Sequence, residues 1–376
     1  MPVTGESQQR MTKPAAGTPD NRPGKRPATT GTALWVISDG TAGMRLQAIG
    51  LAEAMKRQRP ELVISEFQAD PHWLIRMLPR LGHHASFLPL YADAPDITAA
   101  QNQPVRGRHC DLLITCGRRM AGLGLALRAR ARANSTRTQL LHLQDPRLPP
   151  ALFDALVVPE HDRARGHNVI TTTGSLNRLT RKSIQRSMMD LPTKWLVRDT
   201  VPCVVVMLGG DNRRYKISPE MVAAMAVRLR AFAQSEPMRL VLIPSRRTPA
   251  ALTETLSAQL GETDIHIVNP DEANPYPGIL GVADAIIVTS DSVNMASEAA
   301  ITGKPVLIAG WNAAAGATTD RVAANVGERG RIAAFHRRMI AAGHTAPLAA
   351  ELPRAPFTAL DEMDAVCKRV FSVLGR

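Results

Sequence analysis

Short apolar runs alternating with segments of helical period dominate the chain from Ala33 onward. Ala33-Leu34-Trp35-Val36-Ile37 is uninterrupted by polar residues, the pattern of a strand buried on both faces of a parallel sheet. Ser38-Asp39-Gly40-Thr41-Ala42-Gly43 reads as a turn, after which Met44, Ala48, Leu51, Ala52 and Met55 recur at helical spacing. The unit then repeats. Leu62-Val63-Ile64 predicts a strand and Trp73–Leu81 a helix. Asp111–Thr115 predicts a strand ending at Cys116-Gly117-Arg118, with a helix running to Ala133 behind it. Gln139–Leu143 and Ala155–Val158 are further strands, and the polar stretch 185–200 reads as a linker.

A second series begins at Cys203–Leu208, a strand that enters Gly209-Gly210 and is followed by a helix over 218–234. Arg239–Ile243, Ile265–Val268, Ala285–Val288 and Pro305–Ala309 predict four more strands, with helices between them. Strands alternating with helices twice over predict an α/β protein of two Rossmann-like, doubly wound parallel-sheet domains facing a cleft. Such sheets bind ligands beyond the carboxyl ends of their strands. The domain reading is a disordered basic leader over 1–32, a first domain over 33–195 and a second over 196–376. The last helix is expected to pack back on the first domain.

Composition agrees with this and removes several alternatives. A chain of 376 residues is too long for one ordinary core. Hydrophobic content of 44% with 21% charged residues excludes wholesale disorder, and 4% aromatics weakens a base-stacking platform. The net charge of +13 points to anionic partners: phosphorylated small molecules, an acidic membrane surface or nucleic acid. Nucleic acid ranks lowest because no binding motif accompanies the charge. Cys110, Cys116, Cys203 and Cys367 are scattered, and no His/Cys cluster has metal-ligand spacing, so no metal site is expected. No run of some 18 apolar residues is long enough to cross a bilayer. The absence of a P-loop and of a Gly-x-Gly-x-x-Gly turn argues against a P-loop ATPase and a nicotinamide dehydrogenase.

The polar signals cluster at predicted strand ends. Ala285–Val288 empties into Thr289-Ser290-Asp291-Ser292, where a helix begins at once. Backbone N–H groups at a helix start suit a phosphate, although Ser and Asp are also ordinary capping residues. Glu298, two turns into that helix, could reach a ribose diol or form a structural ion pair. Gly209-Gly210-Asp211-Asn212-Arg213-Arg214 combines close backbone approach with cationic side chains, and Ser245-Arg246-Arg247-Thr248 repeats the logic. In the first domain Asp39 is either a general base on an acceptor hydroxyl or a turn residue. His161, oriented by Asp162, is a second candidate base, or a solvated loop residue. The arginine-rich segment 118–137 holds no acidic residue and reads as a basic amphipathic helix for an anionic membrane surface, or as a solvated face.

These residues resemble the elongated-mitochondria (mitochondrial fission) family, as a bacterial member. Trp35–Gly40, Gln47 and Gly50–Ala54 carry the start of the resemblance, followed by Cys116-Gly117-Arg118, Asp145-Pro146-Arg147 and Pro159–Asp162. It continues through Leu208–Gly210, Ser245–Thr248, Asn274-Pro275-Tyr276, Thr289–Glu298 and Gly303–Val306. The resemblance implies a GT-B glycosyltransferase-like fold, with a nucleotide-sugar donor, a substrate rather than a cofactor, held by the second domain. It implies that Arg213, Arg246 and the Thr289–Ser292 helix start face the diphosphate, Glu298 the ribose, and Asn274 or Tyr276 the base. Asp39 or His161 is then expected to deprotonate an envelope or lipid-linked acceptor, on the cytoplasmic face of the inner membrane. The turn at Gly40-Thr41-Ala42-Gly43 lacks the histidine common in the related acceptor-side loop. Plant members are linked to recruiting the fission machinery, so a non-catalytic, membrane-peripheral recruitment protein is the alternative reading.

Overall fold

The computed structural model describes residues 31–78, 85–97, 109–192, 195, 201–211, 216–261, 263–269, 275–311 and 330–376. Residues 1–30 of the expected basic leader, Asn212, Arg213 and Asn274 lie outside the described residues, whereas Thr32, the last residue of that leader, already belongs to the first strand. The first half contains β1 (Thr32–Ser38), α1 (Ala42–Gln58), β2 (Leu62–Gln68), β3 (Asp70–Pro71), α2 (Trp73–Met77) and β4 (Tyr91–Ala92). It continues with β5 (Leu112–Cys116), α3 (Arg118–Ala133), β6 (Gln139–Leu143), β7 (Ala155–Pro159), β8 (Val169–Thr172) and α4 (Arg181–Met189). The second half runs β9 (Cys203–Leu208), α5 (Pro219–Ala233), β10 (Arg239–Pro244), α6 (Ala250–Leu260), β11 (Asp264–Ile267) and α7 (Tyr276–Val282). It ends with β12 (Ala285–Thr289), α8 (Val293–Ala300), β13 (Val306–Ala309), α9 (Arg331–Ala341), β14 (Ala346–Pro347) and α10 (Met363–Leu374).

Two six-stranded sheets result, ordered β2-β1-β5-β6-β7-β8 and β11-β10-β9-β12-β13-β14. Every pairing within them is parallel. Parallel strands sandwiched between helices must be apolar on both faces, which is why Ala33–Ile37 and Ile286–Val288 are entirely buried. In each sheet the strand order reverses beside the first strand of the set: between β1 and β5, and between β9 and β12. Connections leave to opposite faces at those points and open a crevice beyond the strand ends.

The helices add features that periodicity alone does not reveal. Part of the predicted linker is helical: α4 starts at a capping box formed by Thr180 and Ser183. It lies so close to α7 that a Cβ on Gly278 would sit 2.5 Å from the Ser187 carbonyl oxygen. The chain therefore joins the layers of the second sheet before residue 190. It returns at the end, where Val366, Cys367, Val370, Phe371 and Leu374 of α10 share one buried cluster with Leu34, Val36, Leu51 and Met55. Glu362, just ahead of α10, accepts the backbone N–H groups of Thr173 and Gly174 at 2.8 and 2.9 Å.

Candidate functional site

Three loops converge at the reversal point of the second sheet. Gly209 donates its N–H to Thr289 Oγ1 at 2.7 Å, and Gly210 donates to Asp291 Oδ2 at 3.3 Å. Side chains are excluded here: a Cβ on Gly209 would lie 2.1 Å from either Asp291 carboxylate oxygen, and one on Gly210 only 2.0 Å from the Arg247 carbonyl. The glycines thus serve close packing of loop on loop. Asp291 Oδ1 also accepts from Thr289 Oγ1 at 2.8 Å and Trp311 Nε1 at 3.1 Å, and Oδ2 from Arg247 Nη2 at 3.3 Å. Asp291, expected to face the ligand, is turned inward instead and ties the three loops to Trp311.

The other residues of this group divide in the same way. Ser245 Oγ and Thr248 Oγ1 are 2.9 Å apart and close a local turn, leaving Arg246 exposed. Ser292 caps α8, its Oγ accepting the Met295 N–H at 3.4 Å, while Ser290 is buried behind it. Glu298 is half-buried and accepts a 2.6 Å hydrogen bond from Tyr276 Oη. Burial raises its pKa, and the Tyr276 hydroxyl opposes that rise. Among the described residues no cation pairs with Glu298. Tyr276 reaches this carboxylate directly, a link that spacing could not show.

At the reversal point of the first sheet, Asp39 accepts the Thr41 N–H at 3.1 Å and faces Arg119 Nη1 at 3.4 Å. Both line a cavity of about 540 Å³ that Asp162 and Arg331 also border. Asp162 was expected to orient His161. Its Oδ1 accepts instead from Arg331 Nη1 at 2.7 Å, while His161 Nδ1 is buried and has no hydrogen-bond partner among the described residues. The His161 ring lies edge-on to Phe335, with centroids 5.9 Å apart. Burial lowers its pKa; the Asp162 charge opposes this, and Arg331 and Arg338 add to it.

The two halves meet through amides and hydroxyls that the motif reading passed over. Gln144 Nε2 donates to Gln47 Oε1 at 3.2 Å, and Gln47 Nε2 donates to Asn294 Oδ1 at 3.3 Å. Ser175 Oγ donates to the same Asn294 oxygen at 2.7 Å, and the Ser175 N–H goes to Ser297 Oγ at 2.9 Å. The start of α8 is therefore held against the start of α1. Gln47 was the legible signal: a polar residue on the buried face of an apolar helix.

A family model described as mitochondrial fission ELM1 matches residues 42–374. The chain belongs to that family. A relative from Rickettsia prowazekii, the uncharacterized protein RP120, is 25% identical over 73% of this chain and 82% of its own length. The mitochondrial fission protein ELM1 of Arabidopsis thaliana is 27% identical over 53% of this chain, which spans about half of that protein. Among solved structures, a Listeria monocytogenes protein described as a UDP-N-acetylglucosamine 2-epimerase superposes with a TM-score of 0.50 at 13% identity. That match covers 92% of this chain and 88% of the other. The fold of this family member is GT-B-like.

The arginine-rich segment is partly buried and partly paired. Met120–Leu127 of α3 is buried in the first core. Arg128 and Arg132 pair with Asp154 at 2.7 and 3.7 Å, Arg130 with Asp96 at 3.8 Å and Arg119 with Asp39. Acidic residues distant in sequence thus meet much of the positive charge expected to face a membrane. Among the described residues no helix is long and apolar enough to cross a bilayer.

Proposed function

We propose that the chain is a metal-independent glycosyltransferase that moves a sugar from a nucleotide-sugar to an acceptor hydroxyl. Glu298 carries this reading. It is a half-buried carboxylate without an ion pair among the described residues, on the helix that leaves the strand-order reversal, and in this reading it accepts hydrogen bonds from a ribose diol. The start of α8 and the exposed Arg246 suit the diphosphate, whose negative charge grows as it leaves. Arg213 and Asn274 belong to the same reading, toward the diphosphate and the base.

Asp39 is the favoured base, because it lines the cavity between the halves while His161 does not. The acceptor oxygen bonds to the anomeric carbon as the bond from that carbon to the diphosphate oxygen breaks. The hydroxyl proton passes to Asp39, and the bonding pair leaves with the nucleoside diphosphate. An envelope or lipid-linked acceptor, met at the cytoplasmic membrane surface, fits the basic net charge.

Thermal unfolding with a panel of nucleotides and nucleotide-sugars tests the donor site. A ligand at 100 times its Kd adds about 2.7 kcal/mol of stability. Selective stabilisation by one nucleoside diphosphate, lost in Glu298→Gln, is the expected result. No stabilisation by any of them turns the reading to a recruitment protein that keeps the fold without the chemistry.

A further inference from the structure

The cavity beyond β1, β5 and β6 has walls that restrict what can enter it. Its volume of about 540 Å³ is that of a small-molecule site. Met44 and Cys116 supply its apolar side chains among the described residues, too little surface for an aliphatic tail. The remainder is largely polar and includes four arginines: Arg76, Arg118 and Arg119 from the first half, and Arg331 of α9 from the second.

Arg119 and Arg331 are held alike. Asp39 and Asp162 sit at the base of the cavity with side chains only 8% and 5% exposed, whereas Arg119 and Arg331 are 30% and 33% exposed. Each arginine gives its carboxylate one N–H, at 3.4 and 2.7 Å. A guanidinium has five such donors in a rigid fork, so among the described residues most of each fork remains for a ligand. A carboxylate ligand has two oxygens and satisfies one fork. The three terminal oxygens of a phosphate monoester can serve two.

A backbone feature at the same place supports a ligand-bearing role. Gln144, on the cavity wall, has φ of +70°, a left-handed conformation unfavourable for a residue with a Cβ. Held this way, its side chain starts the amide relay through Gln47 to Asn294 on α8. The cavity is thereby tied to the helix start assigned to the donor diphosphate.

Resting on the reading of Asp39 as the acceptor base, we propose that this cavity binds a hydroxylated ring bearing a phosphate, with the phosphate between Arg119 and Arg331 and a ring hydroxyl at Asp39. The same chemistry is offered by a free sugar phosphate and by an inositol phosphate headgroup. The headgroup would leave its lipid tail outside the cavity.

Isothermal titration of the full chain with glucose 6-phosphate, N-acetylglucosamine 1-phosphate, the two neutral sugars and inorganic phosphate tests this directly. At least one sugar phosphate should bind tenfold or more tightly than its neutral sugar. Arg119→Gln or Arg331→Gln should weaken it at least tenfold, the Lys variants less, and Arg246→Ala not at all. In a parallel arm, flotation with phosphatidylcholine vesicles carrying phosphatidylinositol 4-phosphate separates the sources. Binding there that is lost in the same two variants assigns the headgroup, and binding of the soluble probes alone assigns the free sugar phosphate. Equal binding of neutral sugars overturns the proposal without reference to any variant. So does binding that survives both Gln variants, binding lost only in Arg246→Ala, or no binding of any probe at millimolar concentration. Persistent nucleoside diphosphate stabilisation without sugar phosphate binding removes this proposal and keeps the transfer reading. The opposite pair of results keeps the phosphate site and removes the transfer reading.

Discussion

Arg331 Nη1 lies 2.7 Å from Asp162 Oδ1, joining residues 169 positions apart across the two halves of the molecule. Two neighbours of Asp162 repeat the contact: His161 meets Phe335 edge-on, and Glu160 pairs with Arg338 at 3.3 Å. Arg331, Phe335 and Arg338 are spaced i, i+4 and i+7, so one face of α9 receives three consecutive residues from the end of β7. His336, beside Phe335 on α9, donates from Nε2 to the Ser290 carbonyl at 2.9 Å. One helix therefore grips the first-half loop and the loop leading into α8 together.

Removing the two partners of the Arg331–Asp162 pair should have unequal effects. Arg331→Met leaves a buried carboxylate uncompensated, at a cost of about 2–3 kcal/mol after allowance for the arginine's partial exposure. Asp162→Asn leaves the more exposed guanidinium to water and should cost about 1 kcal/mol. Urea unfolding midpoints with a common m-value measure both. Equal losses would mean that the pair is not a buried anchor.

Glu298 should impose a stability cost that grows with pH. Its pKa is raised by burial, so the folded chain binds this proton more tightly than the unfolded one. The resulting stabilisation is full below the unfolded carboxylate range and disappears as pH rises through the folded value. Glu298→Gln should then be more stable than the parent at pH 7.5 and indistinguishable from it near pH 4, while losing nucleotide stabilisation. A Gln variant that is less stable at pH 7.5 contradicts this.

Two buried histidines act in the opposite direction. Burial pushes the pKa of His142 down to about 3 and that of His336 to about 4. Their stabilisation is full above the unfolded histidine value and is lost as pH falls from there toward 4 for His336 and 3 for His142, the larger loss being that of His142. Unfolding midpoints followed from pH 7 to 4 should fall, and the fall should shrink in His336→Gln. A pH slope unaltered by that substitution removes His336 as a source.

Gln144 separates stability from function. Gln144→Gly relieves a left-handed conformation worth about 1 kcal/mol, so the midpoint should hold or rise. The same change deletes the first amide of the relay to Asn294, and the proposed transfer activity should drop at least tenfold. Retention of full activity would show that the relay does not align the two sites.

Much of the architecture was legible because its signals are local. An apolar run, a glycine or serine turn and a helical period occupy a few dozen residues, and each predicts its own element. Val169–Thr172 escaped because two of its four residues are threonines in a short run, and Arg181–Met189 because its sequence is polar enough to read as a linker. Asp39, Gly209 and Ser292 were found at strand ends by the rule that governs parallel sheets. The side chains that meet this set carried no such signal: Arg119, which faces Asp39, reads as part of a basic helix, and Trp311, which donates to Asp291, lies beyond any motif. Arg331 and His336 carried no local mark at all.

The sequence by itself determined that this protein has two parallel α/β halves, where their strand ends fall and which family the chain resembles. The halves and strand ends follow from hydrophobic burial, which acts along the chain with fixed periods, and the resemblance from motifs that are themselves local in sequence. The tertiary structure alone decided which polar groups satisfy one another: Asp291 inward to Trp311, Asp162 to Arg331 and Glu298 to Tyr276. Hydrogen bonds and ion pairs form only within about 3–4 Å and in the right direction, which depends on how distant elements pack.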